Sequence, residues 1–248
     1  MLQNFESLVL IWLGIGFITF ITLLKIPAPY GKFSKTNWGP MIPSKLGWIV
    51  MEIISPLALL YFFLNGNIEK TPTNITFISL WTLHYLNRSV IYPLRQNNPA
   101  QMPLIIAVLA FLFNVMNGYI NGTYFGSIQE YSAEYMSNWN FIVGVCLFIF
   151  GAYINIKSDN ILLSLRSKSG EYKIPEGFMF RYVSFPNYFG EILEWMAFAI
   201  MTWSLAGLSF MIWTMANLVP RAIKGHQWYH SKFESYPKNR KAIFPFII

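Results

Sequence analysis

The sequence predicts an all-α, polytopic membrane protein with seven transmembrane helices. Three observations predict it: the scarcity of charge, the length of the apolar runs, and the sorting of basic residues between alternate loops. Of 248 residues, 54% are hydrophobic and 12% are charged, whereas a soluble domain carries about 25% charged residues. A chain of this size with so little charge cannot cover itself with a solvated surface. Apolar runs fall at about 8–24, 47–65, 75–93, 102–121, 140–156, 185–204 and 206–222. Each approaches the ~20 residues a helix needs to cross ~30 Å of hydrocarbon. Strands of a membrane barrel would be about half as long and would alternate polar with apolar residues. These runs do not alternate.

The first run follows Glu6 instead of a basic region and has no clear small-residue cleavage site, so it is expected to be a retained helix and not a signal peptide. The stretch 185–222 is divided at Ser204-Leu205-Ala206-Gly207, read as a turn. Cys146 is the only cysteine and lies inside the fifth run. An internal disulfide and a cysteine metal cluster are thereby excluded. No repeat or long polar linker interrupts the chain, and residues 1–248 are expected to form a single membrane domain.

The net charge of +7 is not spread evenly. The first loop holds Lys25, Lys32, Lys35 and Lys45, and the third holds Arg95. The fifth holds Lys157, Arg166, Lys168, Lys173 and Arg181, and the C-terminal segment holds Lys224, Lys232, Lys238, Arg240 and Lys241. Glu6, Glu69, Lys70, Glu130 and Glu134 fall on the alternate side. The positive-inside rule then places the C-terminus in the cytoplasm and the N-terminus outside. Six or eight spans would destroy this sorting. Most of the basic residues are read as topology signals and lipid headgroup contacts; no nucleic-acid partner is expected.

A charged residue at bilayer depth is costly and points to function. Glu52 lies in the second run, in Trp48-Ile49-Val50-Met51-Glu52-Ile53-Ile54, with no cation near it in sequence. Hydrocarbon disfavours the ionised carboxyl, and a neutral acid can donate a hydrogen bond to a substrate oxygen; the alternative is a structural bond to a neighbouring helix. In His84-Tyr85-Leu86-Asn87-Arg88, Tyr85 and Arg88 share a helical face. The phenol can polarise a carbonyl, and Arg88 can bind a phosphate or reach the headgroups. Asn155, Asp159 and Arg166 form a stripe at the end of the fifth run, an amide, carboxylate and guanidinium suited to a ribose and its phosphates, or to a helix-end ion pair. The sixth run opens with Asn187, Glu191 and Glu194 on successive turns. No histidine stands at metal-ligand spacing beside them, so hydrogen bonds to hydroxyls and amides fit better than a metal. Gly-x-Gly-x-x-Gly, P-loop and serine-elbow motifs are absent, so a nucleotide would be held by bundle helices and not by a Rossmann sheet.

In order along the chain these residues resemble the steroid 5-alpha-reductase family. The likeness is carried by Ile154-Asn155-Ile156-Lys157-Ser158-Asp159 and Asn187-Tyr188-Phe189-Gly190-Glu191-Ile192-Leu193-Glu194-Trp195. Tyr236-Pro237-Lys238-Asn239-Arg240-Lys241-Ala242-Ile243 and Pro29-Tyr30-Gly31-Lys32 extend it. The resemblance implies a seven-helix reductase using NADPH, acting on the 4,5 double bond of 3-oxo-4-ene steroids or similar lipophilic enones. Its catalytic acid and tyrosine match Glu52 and Tyr85. Its cofactor contacts match Asn155, Asp159, Arg166, Asn187, Glu191, Arg88, Tyr172 and Tyr229, with Lys173 standing where the family has an arginine. Met51 replaces a glutamine of the steroid enzymes, and Gly225 replaces a histidine, with His226 following it. Other activated alkenes (enoyl thioesters or sterols) are alternative acceptors, and superfamily methyl transfer is a further chemistry. A lipid-binding or transport protein is the alternative from a non-enzyme class. A monomer is expected, in the inner membrane of a bacterium or the endoplasmic reticulum of a eukaryote.

Overall fold

The computed structural model describes residues 2–96, 100–165 and 172–248. Among them, seven helices of fifteen residues or more follow the seven apolar runs: α1 (Leu2–Lys25), α2 (Ser44–Leu64), α3 (Pro72–Leu86), α4 (Leu104–Thr123), α5 (Trp139–Leu165), α6 (Pro186–Thr202) and α7 (Leu205–Lys232). α3 continues through a π-helical turn, Asn87–Ile91, and an α-helical turn, Tyr92–Arg95. α4 ends in a second π-helical turn, Tyr124–Ile128. Four of the seven (α1, α2, α4 with its π turn, and α5) are long and apolar enough to cross a membrane by length and composition. α3 and α6 are shorter, at 15 and 17 residues, and α7 continues past its apolar run into the polar sequence His226–Lys232.

The chain divides into two compact units, Met1–Val9 with Ala28–Ile142, and Leu10–Pro27 with Val143–Ile248. In the first, α2 and α4 pack backbone to backbone. A Cβ added at Gly118 would stand 2.6 Å from Ala58 Cβ, and one at Gly122 would stand 2.6 Å from Leu59 O. One at Gly126 would stand 2.7 Å from Phe63 O. Glycines at i, i+4 and i+8 thus clear one face of α4, as small residues do where membrane helices must approach closely. α3 starts where its sequence directs: Pro72 occupies the first turn and Thr71 accepts from Asn74 N at 3.3 Å. An antiparallel ribbon of β1 (Met41–Pro43) and β2 (Gln101–Pro103) is an element the apolar runs did not foretell.

In the second unit, Gly144, Gly151 and Gly190 bring α5 and α6 together. A Cβ at Gly151 would lie 2.8 Å from Gly190 O, and one at Gly144 would lie 2.9 Å from Ala197 O. The break between α6 and α7 falls at Trp203 and Ser204, so of the expected turn 204–207 only Ser204 lies outside a helix and Leu205, Ala206 and Gly207 open α7. Trp203 closes α6 in the left-handed region at φ 46, and Ser204 caps α7 by accepting from Gly207 N at 3.0 Å. After α7 the tail returns to pair with the segment before α6: Lys241 N donates to Tyr182 O at 2.9 Å and Ser184 N to Lys241 O at 2.8 Å. Around this junction Phe185, Ile192, Ala222, Tyr229, Tyr236, Ala242 and Ile243 form a buried core.

Candidate active site

The first constellation is built on α2, α3 and α4. Glu52 is half-buried on α2, between buried Met51 and buried Ser55. Pro56, one turn on, has no N–H to offer the Glu52 carbonyl, so the regular helix ladder is interrupted at the residue whose side chain is of interest. Tyr85 is 4% exposed. Its ring stacks on Trp81 at 5.7 Å, and Trp81 Nε1 donates to Ser55 Oγ at 3.1 Å. The Tyr85 hydroxyl donates to Asn114 Oδ1 at 3.2 Å, and Asn114 Nδ2 donates to Met51 O at 2.6 Å. Asn114 therefore joins the hydroxyl of Tyr85 to the α2 backbone beside Glu52.

Asn114 was absent from the sequence-derived residues. A signal for it existed: Asn114, Asn117 and Asn121 recur at helical spacing inside an apolar run, and all three are buried. Arg88 sits in the π-helical turn of α3. Its guanidinium lies 5.5 Å from the Trp48 ring and 5.3 Å from the Tyr92 ring, so it is held as a cation between aromatic faces.

The second constellation is built on α5 and α6. The glycine contact between these helices lets Asn155 Nδ2 donate to Asn187 O at 2.9 Å, while Asn187 Nδ2 donates to Asp159 Oδ1 at 3.0 Å. All three side chains are buried. Asn187 Oδ1 is buried with no hydrogen-bond partner. A desolvated acceptor without a donor costs about 1–3 kcal/mol, so this atom is an opening for a ligand N–H. Glu191 is half-buried one turn further on, and Glu194 is 2% exposed beside Gly151 at the contact between the helices.

The remaining sequence-derived residues are placed differently. Tyr172 presents its ring edge-on to Trp228 at 4.9 Å, and Lys173 is exposed. Tyr229 is 5% exposed and stacks on Tyr236 at 5.1 Å in the aromatic core. Arg166 lies outside the described residues.

A third polar group, also unforeseen from sequence, lies where the tail returns. Ser184 Oγ stands 2.6 Å from His226 Nδ1 and 2.7 Å from the Tyr236 hydroxyl. Burial, then the positive charges of His230, Arg240 and Lys241, pull His226 down to about 4. A serine–histidine pair resembles an activated nucleophile. Here, however, Ser184 is 1% exposed and shared with Tyr236, and the charged groups around the ring, Arg240 and Lys241, are cations that would not orient it as a base. The group reads as a polar staple between the tail and α7.

The two units thus each bury polar groups that apolar packing does not require: an amide–carboxylate group with an unfilled acceptor in one, and a tyrosine joined through Asn114 to the α2 backbone in the other. The profile of the 3-oxo-5-alpha-steroid 4-dehydrogenase family matches residues 100–248. The chain is 43% identical over 248 residues to steroid 5-alpha-reductase DET2 of Solanum lycopersicum, covering 98% of this chain and 96% of that protein. It is 37% identical over 238 residues to 3-oxo-5-alpha-steroid 4-dehydrogenase 1 of Rattus norvegicus, covering 94% and 91%. The protein of that name in Homo sapiens is 34% identical over 238 residues. The chain belongs to the steroid 5-alpha-reductase family, oxidoreductases acting on CH–CH bonds.

Proposed function

We propose that this chain is a membrane-embedded, NADPH-dependent reductase of the 4,5 double bond of a 3-oxo-4-ene steroid or similar lipophilic enone. The observation that carries the cofactor assignment is the Asn155–Asp159–Asn187 network, with its buried, unfilled Asn187 Oδ1. The carboxamide of nicotinamide offers the N–H this acceptor lacks, so the residues present fit the cofactor. The relatives' names supply the acceptor class. Asn155, Asp159, Asn187 and Glu191 hold the cofactor in this reading, with Arg166, Arg88, Tyr172, Lys173 and Tyr229 as further proposed contacts.

NADPH, when bound, would supply the hydride for the carbon beta to the ketone, and a proton taken up at the alpha carbon would complete the saturation. The protein's part is electrostatic. Negative charge develops on the 3-oxo oxygen, and donors preorganised at that oxygen lower the barrier. Tyr85 offers its hydroxyl and Glu52 its neutral carboxyl. Exclusion of water by the apolar helices strengthens both bonds. A lipophilic substrate enters such a site from the bilayer. The reading includes seven crossings in a single domain, an outer N-terminus, a cytoplasmic C-terminus and a monomeric unit. The test is incubation of purified protein with NADPH and a panel of steroid enones and enoyl thioesters, following the absorbance of the reduced cofactor. Consumption with the steroid enones is expected. Consumption with thioesters alone would replace the acceptor, and none with any acceptor would contradict the proposal.

A further inference from the structure

The two hydrogen bonds of Asn114 run to two different helices. An N–H···O bond is most often about 2.9 Å long and an O–H···O bond about 2.7–2.8 Å. At 2.6 Å from Nδ2 to Met51 O, the amide is pinned to the α2 backbone. The Tyr85 hydroxyl donates to Oδ1 at 3.2 Å, the longer of the two bonds. The amide cannot turn over, because that would set its oxygen against the Met51 carbonyl. Its Oδ1 is therefore fixed toward Tyr85. A neutral amide acceptor in a fixed place keeps the hydroxyl aimed, and its hydrogen bond can still pass to a stronger, charged acceptor. The oxygen of a carbonyl that is gaining charge is such an acceptor.

We infer that Asn114 is a positioning residue that sets the direction of the Tyr85 hydroxyl relative to Glu52. This rests on the proposal that Tyr85 acts on the substrate carbonyl. Asn114 is 3% exposed and lies on a helix glycine-packed against α2, so the amide is held on both sides by rigid elements. Asn117 and Asn121 on the same face donate to carbonyls of their own helix, at 2.8 Å to Phe113 O and 3.1 Å to Asn117 O. Asn114 reaches α2 and α3.

The experiment compares Asn114→Leu, Asn114→Asp, Tyr85→Phe and the double variant Asn114→Leu/Tyr85→Phe, with NADPH and progesterone as the enone. Asn114→Leu is expected to lower kcat on the order of tenfold with unchanged NADPH affinity. In the Tyr85→Phe background the same change is expected to have almost no further effect, because its target hydroxyl is gone. Asn114→Asp gives a signature that a packing role would not. As a neutral acid its carboxyl can donate to Met51 O and accept from Tyr85, whereas the ionised form places an anion against the carbonyl. Its turnover relative to wild type is expected to be near normal at acid pH and to fall as pH rises, while Asn114→Leu stays low throughout. An impaired Tyr85→Phe combined with a wild-type Asn114→Leu, fully additive effects, or a pH-independent Asn114→Asp would overturn the inference and leave the catalytic reading standing. A Tyr85→Phe enzyme with wild-type turnover would remove both. If Asn114→Leu does not fold, the pH response of Asn114→Asp decides alone.

Discussion

Asn187 stands at the centre of the proposed cofactor site because each polar atom of its side chain is buried and only one of them is satisfied. Nδ2 reaches Asp159, while Oδ1 has no partner. Asn187→Ala and Glu191→Ala are each expected to weaken NADPH binding by about 1–3 kcal/mol, the worth of a hydrogen bond in a desolvated site. Fluorescence titration with NADPH measures this, and near-normal affinity in both variants would refute the placement. His226 offers a different test, since it lies beyond the apolar run that ends at residue 222. Its pKa falls from the ordinary 6.5 to about 4. Between those values the unfolded chain binds a proton that the folded chain does not, so stability rises with pH through this window. The contribution is fully present above 6.5 and is lost as pH falls toward 4. Melting curves of His226→Gln across that range should show a shallower pH slope than wild type. Identical slopes would show that the imidazole is not held neutral at Ser184.

The helices themselves were largely legible, because length and continuous apolarity are strong signals. Their contacts were less so. Gly118, Gly122 and Gly126 are plain in the sequence, but which helix they face is a tertiary fact. The ribbon of β1 and β2 was hidden because three-residue strands carry no period. Trp203 was not predictable as a helix end, since a non-glycine residue at φ 46 is disfavoured locally and is held there by its surroundings; the adjacent Ser204 cap was readable. Gly118→Val is expected to destabilise the protein by about 1–3 kcal/mol or more, since the added carbons meet Ala58 and the Leu59 backbone. Gly14→Val, on an open face of α1 with nothing within 4 Å, serves as the control. Equal melting temperatures for the two variants would show that the α2–α4 approach is not tight.

For the molecule as a whole, composition and the long apolar runs mark a membrane protein, and charge sorting adds a proposed orientation. Four helices meet a membrane-crossing criterion by length and composition; the other three are shorter or carry the polar residues that the chemistry would need. Glu191 and Glu194 on α6 are an example. A site inside a membrane protein therefore weakens the very hydropathy signal by which its helices are found. The proposed site rests on residues that the sequence itself singles out. Glu52, Tyr85, Asn155, Asp159, Asn187 and Glu191 stood out because a carboxylate or amide in an apolar run needs a reason. Asn114 is also an amide in an apolar run, but what distinguishes it is two bonds to other helices, which are tertiary facts. The proposed topology predicts that a reporter fused after Ile248 is cytoplasmic and one at the N-terminus is not; both ends on one side would contradict it.

The claim on which the account turns is that Glu52 and Tyr85 act on charge developing at the substrate carbonyl. Single-turnover NADPH oxidation with a steroid enone, run on Glu52→Gln and Tyr85→Phe beside an NADPH titration and a melting curve, tests it most directly. Each variant is expected to lose about 10²–10³-fold in rate, as removal of an oxyanion-stabilising donor does, with cofactor affinity and melting temperature nearly unchanged. Variants that turn over at the wild-type rate would contradict the claim.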